Sequence, residues 1–415
     1  MSDHPPTMGL AERAPPGEPT GGFRRDRVTW ANYLALALFS YFLGIQGNII
    51  PFLRDEFALS YRVVSLHPAA LAAGLIVCGL FGERVVARLG RDGALALAVA
   101  GICGGAMLLG LAPTAAVSIA GCLLIGAPGG LVLVVVPAAL AERHGANRAI
   151  AFGEANAVSY AATLTATVAI GLFAASGQNW RSGLALGVEL AAVALARYAV
   201  DPVSAGKPRG RTGSGRLPAT YWAYWATLFC VIALEYCTLL WGPEVLEHTQ
   251  GLSRAAAATA AAAFSAAMLT GRLFTAPLLR RVAAQRLFLA SLALTLPGFL
   301  LYWGARQPAL SVVGLFALGL GIAQLYPLAL GFAIGVAGKL GDAASARASL
   351  ASGVAILSMP MVLGALADAM GLQRACLLLP ALTAASGLCF AAARTLERRG
   401  RTQKAGTPAR ETLRS

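Results

Sequence analysis

Long apolar runs separated by short polar connections make up most of this chain. We predict twelve such runs, at residues 29–52, 62–82, 93–112, 115–139, 150–174, 180–199, 219–243, 255–278, 287–304, 309–336, 346–367 and 373–393. Each is about twenty residues long, the length that an α-helix needs to cross a bilayer. A membrane β-barrel would instead show shorter segments of alternating polarity. The pattern predicts an all-α polytopic membrane protein with twelve transmembrane helices.

The longest internal polar stretch divides the runs into six and six. Because this stretch is rich in Gly, Pro and basic residues, we interpret it as a flexible linker. The predicted parts are a disordered tail at 1–28, a six-helix bundle at 29–199, a linker at 200–218, a second six-helix bundle at 219–394 and a basic tail at 395–415.

The two halves also resemble each other at a fixed offset. Pro51, Arg62 and Gly79 have counterparts in the same order, each 192 residues later: Pro243, Arg254 and Gly271. Each match alone is weak, because these residue types are common at the ends of membrane spans. Together with the central linker they favour a duplicated six-helix unit, with the halves related by an axis along the membrane normal.

Charge fixes the expected orientation. Of the 33 Lys and Arg residues, 26 lie in alternate connections and tails, 6 in the intervening connections, and Arg272 lies within a run. Cytoplasmic loops carry such an excess, so both tails and the linker are predicted to be in the cytoplasm. The net charge of +14 then reflects topology, and no nucleic-acid partner is expected. With 57% hydrophobic residues, the chain is predicted to be an integral protein of the cytoplasmic (inner) membrane.

The topology resembles that of the major facilitator superfamily. That family's signature after its second helix is Gly-x-x-x-Asp-Arg-x-Gly-Arg-Arg, and Arg88, Gly90 and Arg91 match it here, while Ala87 replaces the acid and Asp92 the last base. The resemblance covers roughly residues 29–393. It implies two pseudo-symmetric six-helix bundles and secondary transport.

Ionisable residues inside the runs are the first candidates for chemistry, because an unpaired charge in hydrocarbon is costly. Glu235 lies in the seventh run, about 8 residues and ~12 Å from the outer end at Pro243. The resemblance places that helix beside the substrate cavity. We therefore expect Glu235 to carry a coupling proton or to bind substrate, with a structural hydrogen bond as the alternative.

Glu154 and Arg272 have similar expected depths, ~9 and ~12 Å from the cytoplasmic face. The fifth and eighth helices pack together in the superfamily. A gating Glu154–Arg272 ion pair is therefore predicted, which would close the cytoplasmic end of the outward-facing state. A static structural pair is the alternative, and pairing of Arg272 with Glu235 is less favoured because their expected depths differ by roughly 10 Å.

Uncharged polar and aromatic side chains complete the predicted substrate cavity. They are Tyr41, Gln46 and Asn48 on the first run, Tyr160 on the fifth, Tyr236 and Trp241 on the seventh, and Gln324 and Tyr326 on the tenth. Their character favours a small neutral or weakly amphiphilic organic solute.

The favoured function is secondary transport by alternating access, driven by protons and in an undetermined direction. The alternatives are an organic-anion carrier that binds a carboxylate with Arg272, a drug or metabolite efflux antiporter, a non-transporting receptor and a polytopic membrane enzyme. No catalytic constellation or metal-ligand pattern stands out, so enzyme activity, a cofactor and a metal are not expected. The expected partners are a small-molecule substrate, protons and the lipid bilayer, and the expected state is a monomer.

Overall fold

The computed structural model describes residues 24–144, 148–198 and 216–405, which are helical with no β-strand among them. Eleven of their helices are long and apolar enough to cross a membrane. Together with the shorter sixth helix they are α1 (Arg27–Glu56), α2 (Tyr61–Gly82), α3 (Arg84–Gly110), α4 (Ala115–His144), α5 (Ile150–Ala175), α6 (Ser182–Tyr198), α7 (Ala219–Gln250), α8 (Arg254–Thr275), α9 (Ala284–Gly304), α10 (Pro308–Ala337), α11 (Leu350–Met370) and α12 (Leu372–Arg399).

These helices correspond one to one with the predicted runs, and the predicted all-α fold is confirmed. Several helix ends differ from prediction, and the largest differences include the start of α3 at Arg84 instead of residue 93. Helix α7 continues past Pro243 to Gln250. Pro243 removes one backbone hydrogen-bond donor, but the helix remains continuous at this position. The last helix continues to Ala405, so the start of the predicted basic tail is helical. Residues 1–23, 199–215 and 406–415 lie outside the described residues, and the predicted tails and linker remain predictions there.

The two six-helix bundles meet along three helix pairs: α1 with α7, α5 with α8, and α2 with α11. Replacing each helix by its equivalent in the other bundle, six helices away along the chain, turns the α5–α8 pair into the α11–α2 pair. This is expected for a duplicated six-helix unit. Glycines allow the closest approach at this seam. A Cβ on Gly47 of α1 would lie 2.9 Å from the Cα of Leu240 on α7, and one on Gly171 of α5 would lie 2.7 Å from the backbone nitrogen of Thr259 on α8.

The outer surface of the helices is apolar where it would contact lipid. Leu111 is 78% exposed, Leu388 72% and Leu300 55%. In water such exposure would favour association, whereas lipid tails solvate leucine side chains well. The exposed leucines therefore fit an integral membrane protein.

The chain enters α1 and leaves α12 at the same end of the molecule, which we call the tail face; the opposite end is the far face. At the tail face, Asp26 accepts a hydrogen bond from the backbone nitrogen of Thr29 and so caps α1. Arg143 at the end of α4 is paired with the same carboxylate. Partial burial opposes ionisation of Asp26, but the hydrogen bonds from Arg143 and Thr29 outweigh it and lower its pKa.

The predicted loop motif lies in the first part of α3, where the helix is kinked at Gly90. Gly90 has φ of +71°, a conformation that residues with a Cβ rarely adopt. Arg91 is paired with Glu142 near the end of α4 at 2.8 Å, while Arg88 is exposed. Residue 87 is alanine where the family signature has an acid. The carboxylate that pairs with the motif here is therefore that of Glu142, from α4.

Candidate functional site

A cavity of about 810 Å³ lies between the two bundles, in the size range of sites for small organic molecules. Its first-bundle wall comes from α1, α2, α4 and α5, and its second-bundle wall from α7, α8, α10 and α11. The lining includes Leu36, Leu80 and Leu350, which lie near the tail-face ends of their helices. At the opposite end of the cavity, the lining residue Leu239 lies below the far face. The cavity therefore extends from the middle of the molecule toward the tail face.

A buried charge pair lies in the wall of this cavity. An Nη of Arg272 on α8 is 3.6 Å from a carboxylate oxygen of Glu235 on α7, and the two side chains are 17% and 11% exposed. The hydroxyl of Tyr160 on α5 lies 3.4 Å from the other oxygen of Glu235. The charge pair thus belongs to one bundle, and Tyr160 reaches it from the other.

Aromatic rings surround the guanidinium group of Arg272. The ring centroid of Tyr160 is 4.7 Å from its central carbon, and that of Tyr326 on α10 is 5.7 Å away. Both distances allow cation–π attraction, which is strongest where water is excluded. These rings and Glu235 hold the cation in the cavity wall between the bundles.

Among the polar residues of the lining that the sequence did not single out, two serines are buried without a hydrogen-bond partner in the described part of the chain. Ser159 and Ser265 are buried, and their hydroxyl oxygens have no hydrogen-bond partner among the described residues. The periodicity of the helix could have found both. Ser265 precedes Arg272 by two turns and lies on the same face of α8, and Ser159 directly precedes Tyr160.

The predicted Glu154–Arg272 ion pair is not present in this structure. Glu154 is paired with Arg25 at 2.6 Å, with the Tyr33 hydroxyl 3.3 Å away, at the tail face within the first bundle. Arg272 is paired with Glu235, the partner that depth counting disfavoured.

The depth estimate was wrong because it ended the seventh helix at Pro243. Since α7 runs from Ala219 to Gln250, Glu235 lies at its middle rather than near its outer end. The arginine side chain adds several Å of reach along the helix axis. Both effects bring Glu235 and Arg272 to the same level.

Three of the eight predicted cavity residues line the cavity: Tyr160, Tyr236 and Tyr326. The other five are outside its lining and make hydrogen bonds between or within helices. Tyr41 donates to the Gly183 carbonyl, Gln46 to the Phe42 carbonyl, Asn48 to the Thr167 carbonyl, Trp241 to the Pro360 carbonyl and Gln324 to the Gly271 carbonyl. The prediction for these five is corrected, because each polar group is satisfied by a backbone carbonyl.

Gln324 nevertheless acts on the site through its neighbour. It separates the two helical segments of α10, accepts a hydrogen bond from the Thr275 hydroxyl at 2.7 Å and donates to the carbonyl of Gly271. Gly271 immediately precedes Arg272. Gln324 therefore positions the backbone that carries the buried cation.

Replacing Gln324 with leucine should destabilise the protein while leaving the charge pair chemically intact. Two buried hydrogen bonds would be lost, and a net cost of about 1–3 kcal/mol is expected because their partners stay buried. Thermal unfolding of the purified protein measures this. The control Gln373→Leu changes the same residue type at an exposed position and should have little effect. Equal unfolding temperatures for the two variants would contradict the positioning role.

The far face is closed by contacts between the bundles. Asp368 at the end of α11 accepts hydrogen bonds from the backbone nitrogens of Tyr61 and Arg62, at 2.9 and 2.8 Å. These nitrogens are the free donors at the start of α2, and a carboxylate there is also favoured by the helix dipole. We call this contact the far-face latch.

A second group of contacts lies beside the latch. Arg54 on α1 is 2.9 Å from a carboxylate oxygen of the fully buried Glu244 on α7, and it donates to His248 at 2.8 Å. Its guanidinium group lies 4.6 Å from the ring centroid of Tyr61. Arg254 on α8 is paired with Asp55 on α1. The two bundles are therefore held together at the far face.

Replacing Asp368 with alanine should weaken far-face closure. Hydrogen bonds to a charged group contribute about 1.5–3 kcal/mol, so the open fraction should rise about tenfold or more. The measurement is labelling by a membrane-impermeant maleimide, added from the far side, of a protein whose single cysteine is Cys78 in the cavity wall. Glu142→Ala, which breaks a surface pair within one bundle, serves as the control. Unchanged far-side labelling of the Asp368 variant would rule out the latch.

The fold and the site define a class: a polytopic membrane protein whose two six-helix bundles enclose a central cavity with a buried charge pair. No group of three or more His, Cys, Asp or Glu residues in the described part of the chain could hold a metal ion. Residues 224–415 match the model of the Major Facilitator Superfamily. No curated protein sequence matches the chain.

Solved structures share the fold over both bundles. A bacterial homologue of the human lysosomal transporter Spinster, inward-facing and unoccupied, matches with a TM-score of 0.71 at 15% identity, covering 90% of this chain and 98% of the other. The xylose transporter XylE from E. coli, partially occluded and inward open, matches with 0.71 at 13% identity over 87% and 96%. The nucleoside transporter NupG matches with 0.67 at 11% identity over 89% and 98%.

The family model therefore matches the second bundle, slightly less than half of the chain, and the solved structures share the fold of both bundles; both findings agree with the resemblance that the topology and loop motif indicate.

Proposed function

We propose that this protein moves a small organic solute across the cytoplasmic membrane by alternating access, with transport coupled to protons. The observation that carries the proposal is the cavity between the bundles, which is closed at the far face and holds a buried carboxylate, Glu235. A carrier of this kind works when rocking of the bundles exposes one site to each side in turn.

The orientation rests on charge. The cation-rich connections lie at the tail face, so we assign the tail face to the cytoplasm. The cavity then opens inward and the latch closes the outer side. One chain contains the whole cavity, which supports a monomer as the working unit.

Glu235 is the proposed proton carrier because of its surroundings. It is 8% exposed, faces the cavity and has one cation, Arg272, within ion-pair distance. An ionised carboxylate at the membrane midplane needs that cation, whereas a protonated one does not. Any event that takes Arg272 away from Glu235 therefore favours proton uptake from the open side.

Tyr160 links this chemistry to the movement of the bundles. It is on the first bundle, while Glu235 and Arg272 are on the second, and it contacts both. Rocking would move Tyr160 relative to the charge pair. The proton affinity of Glu235 would then differ between the inward and outward states, which is the requirement for coupling.

The solved structures with this fold suggest which compounds to test first as substrates. The solved structures that share this fold include a D-xylose–proton symporter and a nucleoside transporter. We would reconstitute the protein in liposomes with an imposed pH gradient and measure uptake and release of xylose, uridine, phenylacetate and ethidium, the last as a probe of efflux. Movement of one of them that depends on the gradient is expected, and its sign distinguishes symport from antiport. A compound that stabilises the purified protein without being moved would instead indicate a receptor.

A further inference from the structure

Arg272 has unused hydrogen-bonding capacity. A guanidinium group carries five N–H donors in a planar fork that matches a carboxylate. The contact with Glu235 is 3.6 Å, longer than the 2.7–2.9 Å typical of a charge-assisted hydrogen bond. Its Nε is buried and has no partner among the described residues. The protein itself thus leaves much of this fork unsatisfied.

The arginines of the far face provide an internal comparison. Arg54 lies 2.9 Å from Glu244 and 2.8 Å from His248, and Arg254 lies 2.9 Å from Glu247. Where an arginine joins helices in this protein, carboxylates lie at hydrogen-bond distance. Arg272 is held by aromatic rings and one distant carboxylate instead, which is an arrangement suited to receiving a ligand.

The walls of the cavity differ in chemistry. The second bundle contributes the charge pair and the polar side chains of Tyr236, Tyr326, Ser265 and Ser352. In the first bundle, the wall formed by α1, α2 and α4 is mainly aliphatic and aromatic, with Leu36, Phe39, Leu43, Leu75, Leu133 and Val134, whereas α5 adds the polar side chains of Asn156, Ser159, Tyr160 and Thr163. A ligand that fills both sides has a polar end at Arg272 and an apolar body against the first bundle.

We infer that the substrate is a small organic monoanion with an apolar body, whose carboxylate binds Arg272 while Glu235 takes up one proton. The inference rests on the proposed transport function and specifies its substrate class. Arg272 and Glu235 together contribute one positive and one negative charge to the site. Adding a monoanion would leave a net negative charge in a low-dielectric site, and one proton on Glu235 restores neutrality. One anion and one proton therefore cross together, with no net charge moved.

Binding can be tested without transport, using ligands that differ only at the head. The probes are phenylacetate and hexanoate, their amides, and the amines phenethylamine and hexylamine, at pH 6. Their effect on thermal unfolding of the purified protein is the readout. Carboxylates should stabilise the protein, and amides and amines should not. Equal stabilisation by the amides, or no stabilisation by either carboxylate at millimolar concentration, would overturn the inference.

Variants assign the binding to Arg272. Arg272→Gln should weaken carboxylate binding about 10- to 100-fold, as expected for a lost charge-assisted contact. Glu235→Gln mimics the protonated acid, so it should retain binding and make it less dependent on pH. Because either single change unbalances a buried pair, the double variant Glu235→Gln/Arg272→Gln tests the site in a neutral background and should not bind carboxylates. Arg306→Gln, at an exposed loop position, is the control and should bind normally. Full binding by the double variant would remove Arg272 from the site.

Flux separates this inference from the proposed function. In liposomes, phenylacetate uptake should follow the pH gradient and be unaffected when the membrane potential is clamped at different values. Proton-driven movement of a neutral compound, with no binding of carboxylates, would support transport and overturn the anion assignment. Carboxylate binding that requires Arg272, without any flux, would keep the site and overturn transport.

Discussion

Replacing Glu235 with glutamine is expected to abolish proton-driven accumulation while leaving downhill exchange of substrate. One pH unit corresponds to about 1.4 kcal/mol, so a carrier with one proton per substrate can build about a tenfold substrate gradient per unit. In the glutamine variant this ratio should fall to about one. The readout is steady-state accumulation in proteoliposomes with an imposed pH gradient.

The reason is that glutamine fills the same space but cannot take up or release a proton. The substrate could still bind to Arg272, to the tyrosines of the cavity lining and to the apolar wall. Reorientation of the loaded carrier would continue, and so would exchange of labelled for unlabelled substrate. Coupling is therefore expected to be lost separately from binding.

A matched change at the surface controls for charge loss alone. Glu56→Gln removes a carboxylate that pairs with Arg181 at the far face, away from the cavity, and should preserve accumulation. Because an unpaired buried arginine can cost about 3–5 kcal/mol, the unfolding temperature of the Glu235 variant must be measured in parallel. A folded Glu235→Gln protein that still accumulates substrate would show that another group carries the proton.

Adding a methyl group at Gly47 or Gly171 is expected to hold the far face open and stop transport. At both positions a Cβ meets the backbone of the opposite bundle, at Leu240 and at Thr259. Backbone atoms cannot relieve such a clash by changing rotamer, as a side chain can. Overpacking of this kind costs about 1–3 kcal/mol. Each alanine should therefore shift the equilibrium about 5- to 150-fold toward a state that is open at the far face.

The control for this prediction lies on the same helix as one of the test positions. Gly153 of α5 has open space where its Cβ would be, so Gly153→Ala should transport normally. Far-side labelling of Cys78 by an impermeant maleimide should rise in Gly47→Ala and Gly171→Ala and stay low in Gly153→Ala. If all three proteins label alike, the seam glycines do not control closure.

The helices were predictable because lipid imposes a simple requirement. Every backbone polar group must be satisfied within a span, so spans have a minimum length and an apolar composition that one sequence reveals. The same logic identified Glu235 and Arg272 as residues that need a partner. It did not give their pairing, since that depends on where α7 ends and how far an arginine side chain reaches.

The positions of neutral polar residues were harder to predict. Asn48 and Tyr41 have the composition of a binding site but donate hydrogen bonds to backbone carbonyls of α5 and α6, respectively. A sequence gives the spacing of residues around a helix but not the rotation of that helix in the bundle. Tyr160, Tyr236 and Tyr326 show the same composition and do line the cavity. Only packing distinguishes the two groups.

Opening of the far-face latch can also be followed by amide hydrogen exchange. Its donors on the first bundle are the amide hydrogens of Tyr61 and Arg62, and no side chain of that bundle takes part in these two bonds. Amide hydrogens exchange with solvent deuterium slowly while bonded and quickly once released. The exchange rate at these two positions therefore reports how often the far face opens in the unmodified protein, with no added cysteine or dye.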